Sequence, residues 1–355
     1  MVTGYGVSAV NRRGLKFARA MAPGTALGIW TPSSPAPALF PRRYQRSIAA
    51  LRASGFEAIT APSTERSTGL VAAPPAELAQ DLHQLLTDDR IGAVLCATGG
   101  YTSCAVLDHV DWGLVRDAAK PVIGYSDVTS VLWSVLSQAG LVCLHGPMLI
   151  SEWGEWGGPL DYTLTHFRTA LSPDPPTDAL SAPDSWTDET LRWEREDTRP
   201  RRFATQGRWR CLVPGRAEGW LLPGCAATVS HLFGTPYLPD VRGALLCLEF
   251  HDTGPDEFWA HLRQWESSGL LDRIAGLVIG RHFAPRQAAA GSGDFDAVVR
   301  HVVGDRGFPV LVDVDFGHTA PMLTLPVGGH ALLDATGCRL TLLEPATNLT
   351  PRSRS

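Results

Sequence analysis

The first half of the chain alternates short apolar runs with amphipathic stretches, and this rhythm restricts the fold more than any other feature. Residues 26–30 (Ala-Leu-Gly-Ile-Trp) read as a strand that breaks at Thr31-Pro32-Ser33-Ser34-Pro35. A helix follows, with Tyr44, Ile48 and Leu51 on one face, and Gly55 ends it. Residues 56–60 give a second strand and 78–86 a second helix. Residues 91–97 form a third strand, closed by Thr98-Gly99-Gly100, and a helical piece covers 103–109. Residues 121–125 and 141–144 are further strands, separated by a helix over 127–139 that Gly140 stops. Strand, helix, strand repeated in this way builds a parallel sheet covered on both faces. Such sheets take ligands at the carboxyl ends of their strands, so a site is expected at the loops opening at Thr31, Gly99, Ser126 and His145.

After residue 150 the texture changes. The stretch to about Arg216 is polar, rich in Pro and charge, and holds Trp153, Trp156, Trp186, Trp193 and Trp209. A segment of this length without periodicity reads as a connecting arm with an active-site loop. Apolar runs return at 244–250, 274–279, 309–314 and 331–343, with a helix carrying Phe258, Leu262 and Trp265 between the first two. The expected fold class is α/β: an N-terminal flavodoxin-like parallel-sheet domain (1–150), an arm (151–216) and a smaller C-terminal α/β domain (217–355). A chain of 355 residues has the length for two cores.

Charge and cysteine content narrow the function classes. A net charge of -5 with no basic block argues against nucleic-acid binding. The long uncharged stretches 128–150 and 219–239 are broken by Ser, Gly, His and Pro, which argues against membrane spans. The 7 cysteines show no C-x-x-C spacing, and Cys96, Cys143 and Cys247 sit in apolar runs. They read as reduced core residues. With no apolar stretch behind Asn11-Arg12-Arg13, the expected location is the cytoplasm.

Chemistry concentrates at a few positions. In Gly124-Tyr125-Ser126-Asp127 a strand runs into a serine and a helix leaves from it. A serine there projects its hydroxyl from the sheet edge, beside a helix N-terminus able to stabilise an oxyanion. The alternative is a plain helix N-cap. His318, in a loop after the strand 309–314, is a candidate base or a structural histidine, and His145 is the next candidate. Glu249 ends an apolar run and must be paired, either with that histidine or with an arginine such as Arg281. Gly99-Gly100 is an N–H-presenting turn or simply a strand-to-helix connection. His251-Asp252 and Asp313-x-Asp315 could ligate a metal, but no HExxH or paired Cys/His spacing accompanies them, so no metal and no cofactor are expected.

Taken in order, Thr98-Gly99-Gly100-Tyr101, Gly124-Tyr125-Ser126-Asp127, His145-Gly146-Pro147, Leu248-Glu249, Ile274-Ala275-Gly276, Gly280-Arg281, Phe316-Gly317-His318 and Leu323-Thr324-Leu325-Pro326 resemble the serial landmarks of the LD-carboxypeptidase family. They cover nearly the whole chain. The resemblance implies a Ser126–Glu249–His318 triad, an oxyanion hole from the backbone N–H groups of Gly100 and Asp127, and a homodimer.

Two branches of the family compete. Murein-recycling members carry Arg-Gly-Gly-Tyr-Gly after the third strand, where this chain has Thr98 and Thr102 at the outer positions. The microcin C self-immunity branch has Ser-Pro-Ser-Ser in the first loop, which Pro32-Ser33-Ser34-Pro35 fits. Of its Gly-Gly-x-Asn-Ser-Asn only the middle serine, Ser103, is kept. Ser185-Trp186-Thr187-Asp188-Glu189, followed by Trp193, resembles that branch's substrate loop, where a Trp stacks on a nucleobase. The other role open to both indoles is to anchor the arm. Gly224-Cys225 departs from the family's Gly-Asn. The substrate contacts implied are Ser33, Ser34, Tyr101, Ser103 and Trp186. The expected activity is amide hydrolysis that frees an acidic amino acid from an aminoacyl-nucleotide conjugate. The alternatives are a murein tetrapeptide LD-carboxypeptidase, acting on a small peptide, and a non-catalytic small-ligand binding protein.

Overall fold

The computed structural model describes residues 14–174, 178–205, 207–283 and 294–348. Five parallel strands, β1 (Ala26–Trp30), β2 (Glu57–Thr60), β3 (Ile91–Cys96), β4 (Val122–Gly124) and β5 (Cys143–His145), lie in the order β2-β1-β3-β4-β5. This is the flavodoxin-like order. The strands are apolar throughout because both faces are covered. Leu27, Ile29, Ala93, Leu95 and Ile123 face Tyr44, Ile48 and Leu51 of α1 (Pro41–Ala53). Val94, Cys96 and Val122 face α2 (Pro75–Thr87) and α3 (Thr129–Ser134). The segment expected as one helix over 127–139 enters through the 3₁₀ turn Ser126–Val128, continues as α3, and closes as the π-type turn Val135–Ala139.

A sixth strand of this sheet comes from far along the chain. Leu325–Val327 pairs antiparallel with β5, Leu325 opposite His145. Pro326 is tolerated there because the strand lies at the sheet edge.

The second sheet holds β6 (Arg210–Val213), β7 (Arg216–Cys225), β8 (Ala244–Glu249), β9 (Gly276–Gly280), β10 (Val310–Val314), β11 (His330–Asp334) and β12 (Arg339–Leu342), ordered β12-β11-β7-β8-β9-β10-β6. Strands β7 to β10 are parallel and the outer three antiparallel. The apolar run 331–343 is thus a hairpin, turned where Asp334 accepts the Gly337 N–H at 2.8 Å. Strand β6 lies within the stretch read as the arm. That stretch also contains a helix, Asp161–Leu171, whose Phe167 packs edge-on against Trp153 and Phe56.

The two sheets meet through α3, which starts just after Ser126. Trp133 Nε1 donates to the Pro223 carbonyl at 2.8 Å, and Thr129 Oγ1 accepts the Cys225 N–H at 3.0 Å. Gly224 permits this approach: a Cβ there would lie 2.6 Å from Thr129 Cγ2. The carboxyl ends of β7 and β8 are thereby set against the carboxyl ends of β3 and β4.

Candidate active site

Ser126 has a φ of 59°, a left-handed conformation that a residue with a side chain adopts only under constraint. Gly124 admits the Val128 side chain just beyond it, since a Cβ on Gly124 would lie 2.8 Å from Val128 Cγ1, and Gly99 makes room at the serine itself. A Cβ on Gly99 would lie 3.0 Å from Ser126 Oγ and 3.5 Å from the Asp127 nitrogen, so the Gly99-Gly100 turn runs directly over the hydroxyl. Asp127 is buried and ties three strand-end loops together. Its Oδ2 accepts the Ser33 hydroxyl at 2.6 Å and the Ser103 N–H at 2.8 Å. The Ser103 hydroxyl donates to the Asp127 carbonyl at 2.6 Å and lies 2.6 Å from the Ser130 hydroxyl.

His318 reaches the serine from the second sheet. It follows β10 across Asp315-Phe316-Gly317. Asp315 is fully buried and accepts from Arg281 Nε at 2.7 Å and Trp209 Nε1 at 2.8 Å. Thr187 and Ala320 exchange backbone hydrogen bonds of 2.8 and 2.9 Å, which lace the arm to the loop bearing His318. The imidazole is flanked by the rings of Tyr125 and His251. Its Nδ1 lies 2.7 Å from Glu249 Oε2 and its Nε2 lies 3.0 Å from Ser126 Oγ.

Glu249 closes the series at the end of β8, with 1% of its surface exposed. Two glycines make space for it. A Cβ on Gly280 would lie 2.8 Å from Glu249 Cβ, and one on Gly317 (φ 98°) would lie 2.5 Å from Glu249 Oε2. Burial raises the pKa of this carboxyl, but the charge and hydrogen bond of His318, with smaller help from His145 and Cys225, outweigh it and hold the group below its usual value. An ionised carboxylate only accepts, so Nδ1 carries the proton and Nε2 is left to accept from the Ser126 hydroxyl. A hydroxyl, an imidazole and a buried carboxylate in this series can make the serine a nucleophile.

These groups open into a cavity of about 450 Å³ between the two sheets. Its far wall carries Glu152, Glu155, Arg43 and Arg201. Glu155 bridges Arg43 at 2.7 Å and Arg201 at 3.0 Å. Glu152 accepts from Tyr125 Oη at 3.0 Å and from the Met148 N–H at 2.6 Å. Burial nevertheless pushes its pKa up to about 7.

Family models match both halves of the chain: the LD-carboxypeptidase N-terminal domain over residues 27–146 and the LD-carboxypeptidase C-terminal domain over residues 218–333. The chain belongs to the LD-carboxypeptidase family. The class of chemistry goes with it: a serine-type carboxypeptidase or amide hydrolase. A protein of Streptomyces coelicolor named as a carboxypeptidase is 33% identical, over 92% of this chain and 96% of its own length. A Bacillus subtilis protein named as a murein peptide carboxypeptidase is 29% identical, over 89% and 91%. The microcin C7 self-immunity protein MccF of Escherichia coli is 25% identical, over 92% and 96%. A solved structure of an MccF active-site mutant superposes with a TM-score of 0.88 at 25% identity, covering 94% of this chain and all of that one. MccF has also been solved in complex with aspartyl sulfamoyl adenosine (TM-score 0.87, 24% identity, 94% of this chain and all of that one).

Within this LD-carboxypeptidase framework the expected site residues divide. Ser126, His318 and Glu249 come together, and the expected alternative partner of Glu249, Arg281, pairs instead with Asp315. His145 is fully buried against Tyr125 and Phe316, and burial lowers its pKa to about 4. Gly100, Ser34 and Tyr101 line the cavity. Ser33 and Ser103, expected to touch substrate, are fully buried and hold Asp127 instead. Trp186 also departs from expectation. It lies outside the cavity lining, with the Arg281 guanidinium 4.7 Å over its ring. The arm brings Trp193 to the cavity wall instead, edge-on to Phe40 and under the Arg43 guanidinium. Both tryptophans were visible in the sequence, and choosing between them needed the fold of the arm. Of the metal candidates, Asp313 accepts from Arg210 and Asp315 from Arg281. Among the described residues no cluster of three or more His, Cys, Asp or Glu has the geometry to hold a metal ion.

Proposed function

We propose that the protein is a serine amide hydrolase that releases an acidic amino acid from a nucleotide-like aminoacyl conjugate. The observation that carries the chemistry is the unbroken series Ser126–His318–Glu249, with contacts of 3.0 and 2.7 Å, at the floor of a cavity between the sheets. Ser126 Oγ attacks the scissile carbonyl carbon while Nε2 of His318 takes the hydroxyl proton. Glu249 fixes the ring and stabilises the imidazolium. The backbone N–H groups of Gly100 and Asp127 hold the oxyanion, aided by the helical turn that begins at Ser126. Collapse of the tetrahedral intermediate breaks the C–N bond, and the leaving nitrogen takes the proton from His318. Water, activated by the same histidine, then hydrolyses the acyl-serine.

The substrate class rests on two supports. The cavity is of ligand size and its wall holds the indole of Trp193, whose face opposite the Arg43 guanidinium would stack on a base. The relative MccF is named for immunity to a microcin and was solved with aspartyl sulfamoyl adenosine. Murein tetrapeptide is the second reading, favoured by the Bacillus relative. Free cysteines throughout the described residues fit a reducing cytoplasm, and we propose that the enzyme works there as a homodimer.

A mass-spectrometric hydrolysis screen tests the substrate class. Aspartyl and glutamyl sulfamoyl adenosine are set beside murein tetrapeptide, with Ser126→Ala as the blank. Serine-dependent cleavage of the adenosine conjugates is expected. Preferred cleavage of the tetrapeptide would move the protein to the cell-wall branch.

A further inference from the structure

The carboxylate of Glu249 is only half accounted for. Oε2 bonds His318, whereas Oε1 is buried and has no hydrogen-bond partner among the described residues. A buried carboxylate oxygen left in this way is costly, so its surroundings bear on how firmly the carboxylate is held. Cys225 is its direct lateral neighbour. Strands β7 and β8 run parallel with Cys225 in register with Glu249, which puts both side chains on the same face of the sheet. The Cys225 backbone is fixed by the hydrogen bond from its N–H to Thr129, and its side chain is buried at the cavity wall. The Glu249 carboxylate and the backbone N–H and hydroxyl of Thr228 both act on the thiol.

We infer that Cys225 is a positioning residue of the active site, whose thiol proton is shared with Glu249 Oε1 and so orients the carboxylate that orients His318. This rests on the Ser126–His318–Glu249 reading given above. An S–H···O contact is weak, which suits a group that trims orientation without neutralising the carboxylate. Burial and the neighbouring carboxylate raise the pKa of the thiol well above its usual value, so it stays a protonated donor at neutral pH. The other titratable groups acting on Glu249 are His318 and His145, with Tyr125 close by.

Four variants separate donor from bulk. Cys225→Ala and Cys225→Val remove the donor, whereas Cys225→Ser and Cys225→Thr keep one. Valine and threonine match each other in shape, so that pair stays informative if alanine fails to fold. Loss of the donor is expected to lower kcat about three- to tenfold with little change in KM, the range for one weak hydrogen bond. The acidic limb of kcat/KM is expected to move to higher pH. A less stabilised carboxylate draws the imidazolium proton more strongly, so more alkaline medium is needed to free the base. Serine and threonine should restore both quantities towards wild type. Equal behaviour of the valine and threonine variants, or an effect confined to KM with a fixed acidic limb, would overturn the inference and make Cys225 a packing or substrate-contact residue. Turnover that survives Ser126→Ala would instead remove the parent reading, and this inference with it.

Discussion

Gly317→Ala addresses how tightly the carboxylate is held. The φ of 98° at this residue already disfavours alanine, at a cost of about 1–3 kcal/mol. The larger effect is steric. The added Cβ would lie 2.5 Å from Glu249 Oε2, the oxygen bonded to His318, and ordinary contact begins at 3.4 Å, so the carboxylate or the loop must retreat by about 0.9 Å. The bond of 2.7 Å to His318 cannot survive a shift of that size unchanged. Misplacement of about 1 Å in a catalytic array costs on the order of a hundredfold in rate. Gly157→Ala is the control. It has nearly the same φ, 95°, and nothing within 4 Å of the added atom. Steady-state kinetics and thermal melts on both variants make the assay. Both should lose stability from backbone strain, and only Gly317→Ala should lose kcat by about two orders of magnitude. Equal kcat in the two variants would refute the claim that Gly317 exists to admit Glu249.

Three further outcomes follow from the same geometry. Trp193→Ala should lower kcat/KM for adenosine conjugates by up to roughly a hundredfold, from about 1–3 kcal/mol of stacking, and leave murein tetrapeptide hydrolysis nearly unchanged; Trp186→Ala should lower the melting temperature and spare that discrimination. Ser33→Ala should destabilise the fold by about 1–3 kcal/mol in urea titrations, because it strips a donor from the buried Asp127 carboxylate, and an unchanged midpoint would contradict that role. Glu152 has its pKa raised from 4.5 to about 7 in the fold, so between those values the native state holds more protons than the unfolded one. Its contribution therefore lowers stability as pH rises through that window and levels off above it. Glu152→Gln should flatten that part of the stability–pH curve, and an unaltered slope would contradict the assignment.

Much of the fold was legible because a parallel sheet buried on both faces writes itself as continuous apolar runs, as in residues 91–96 and 244–249. The loops after β1, β3 and β4 fell where the strands end, and they brought Ser126 and Gly100 to one place. What the sequence could not reveal depends on long-range pairing. Leu325–Val327 joins the first sheet from the far end of the chain, and no local pattern marks its partner as Cys143–His145. The run 331–343 looked like one element because the turn after Asp334 lacks a proline and its charges sit inside an apolar context. In the arm, the family resemblance pointed to Trp186 as the stacking residue, and no local pattern told it apart from Trp193 seven residues on. The Thr187–Ala320 ladder then turned Trp186 onto Arg281 and left Trp193 at the cavity. Ser33 and Ser103 look like exposed loop hydroxyls in sequence, and only the buried carboxylate of Asp127 explains them.

The acyl-enzyme on Ser126 is the species to look for. Wild-type protein is mixed with aspartyl sulfamoyl adenosine or murein tetrapeptide, quenched in acid on the millisecond scale, digested and mapped by mass spectrometry. A nucleophilic Ser126 gives a transient adduct of the acyl group on the peptide containing it, absent together with all turnover in Ser126→Ala. An adduct on another residue, or product formation by a folded Ser126→Ala variant, would contradict that role.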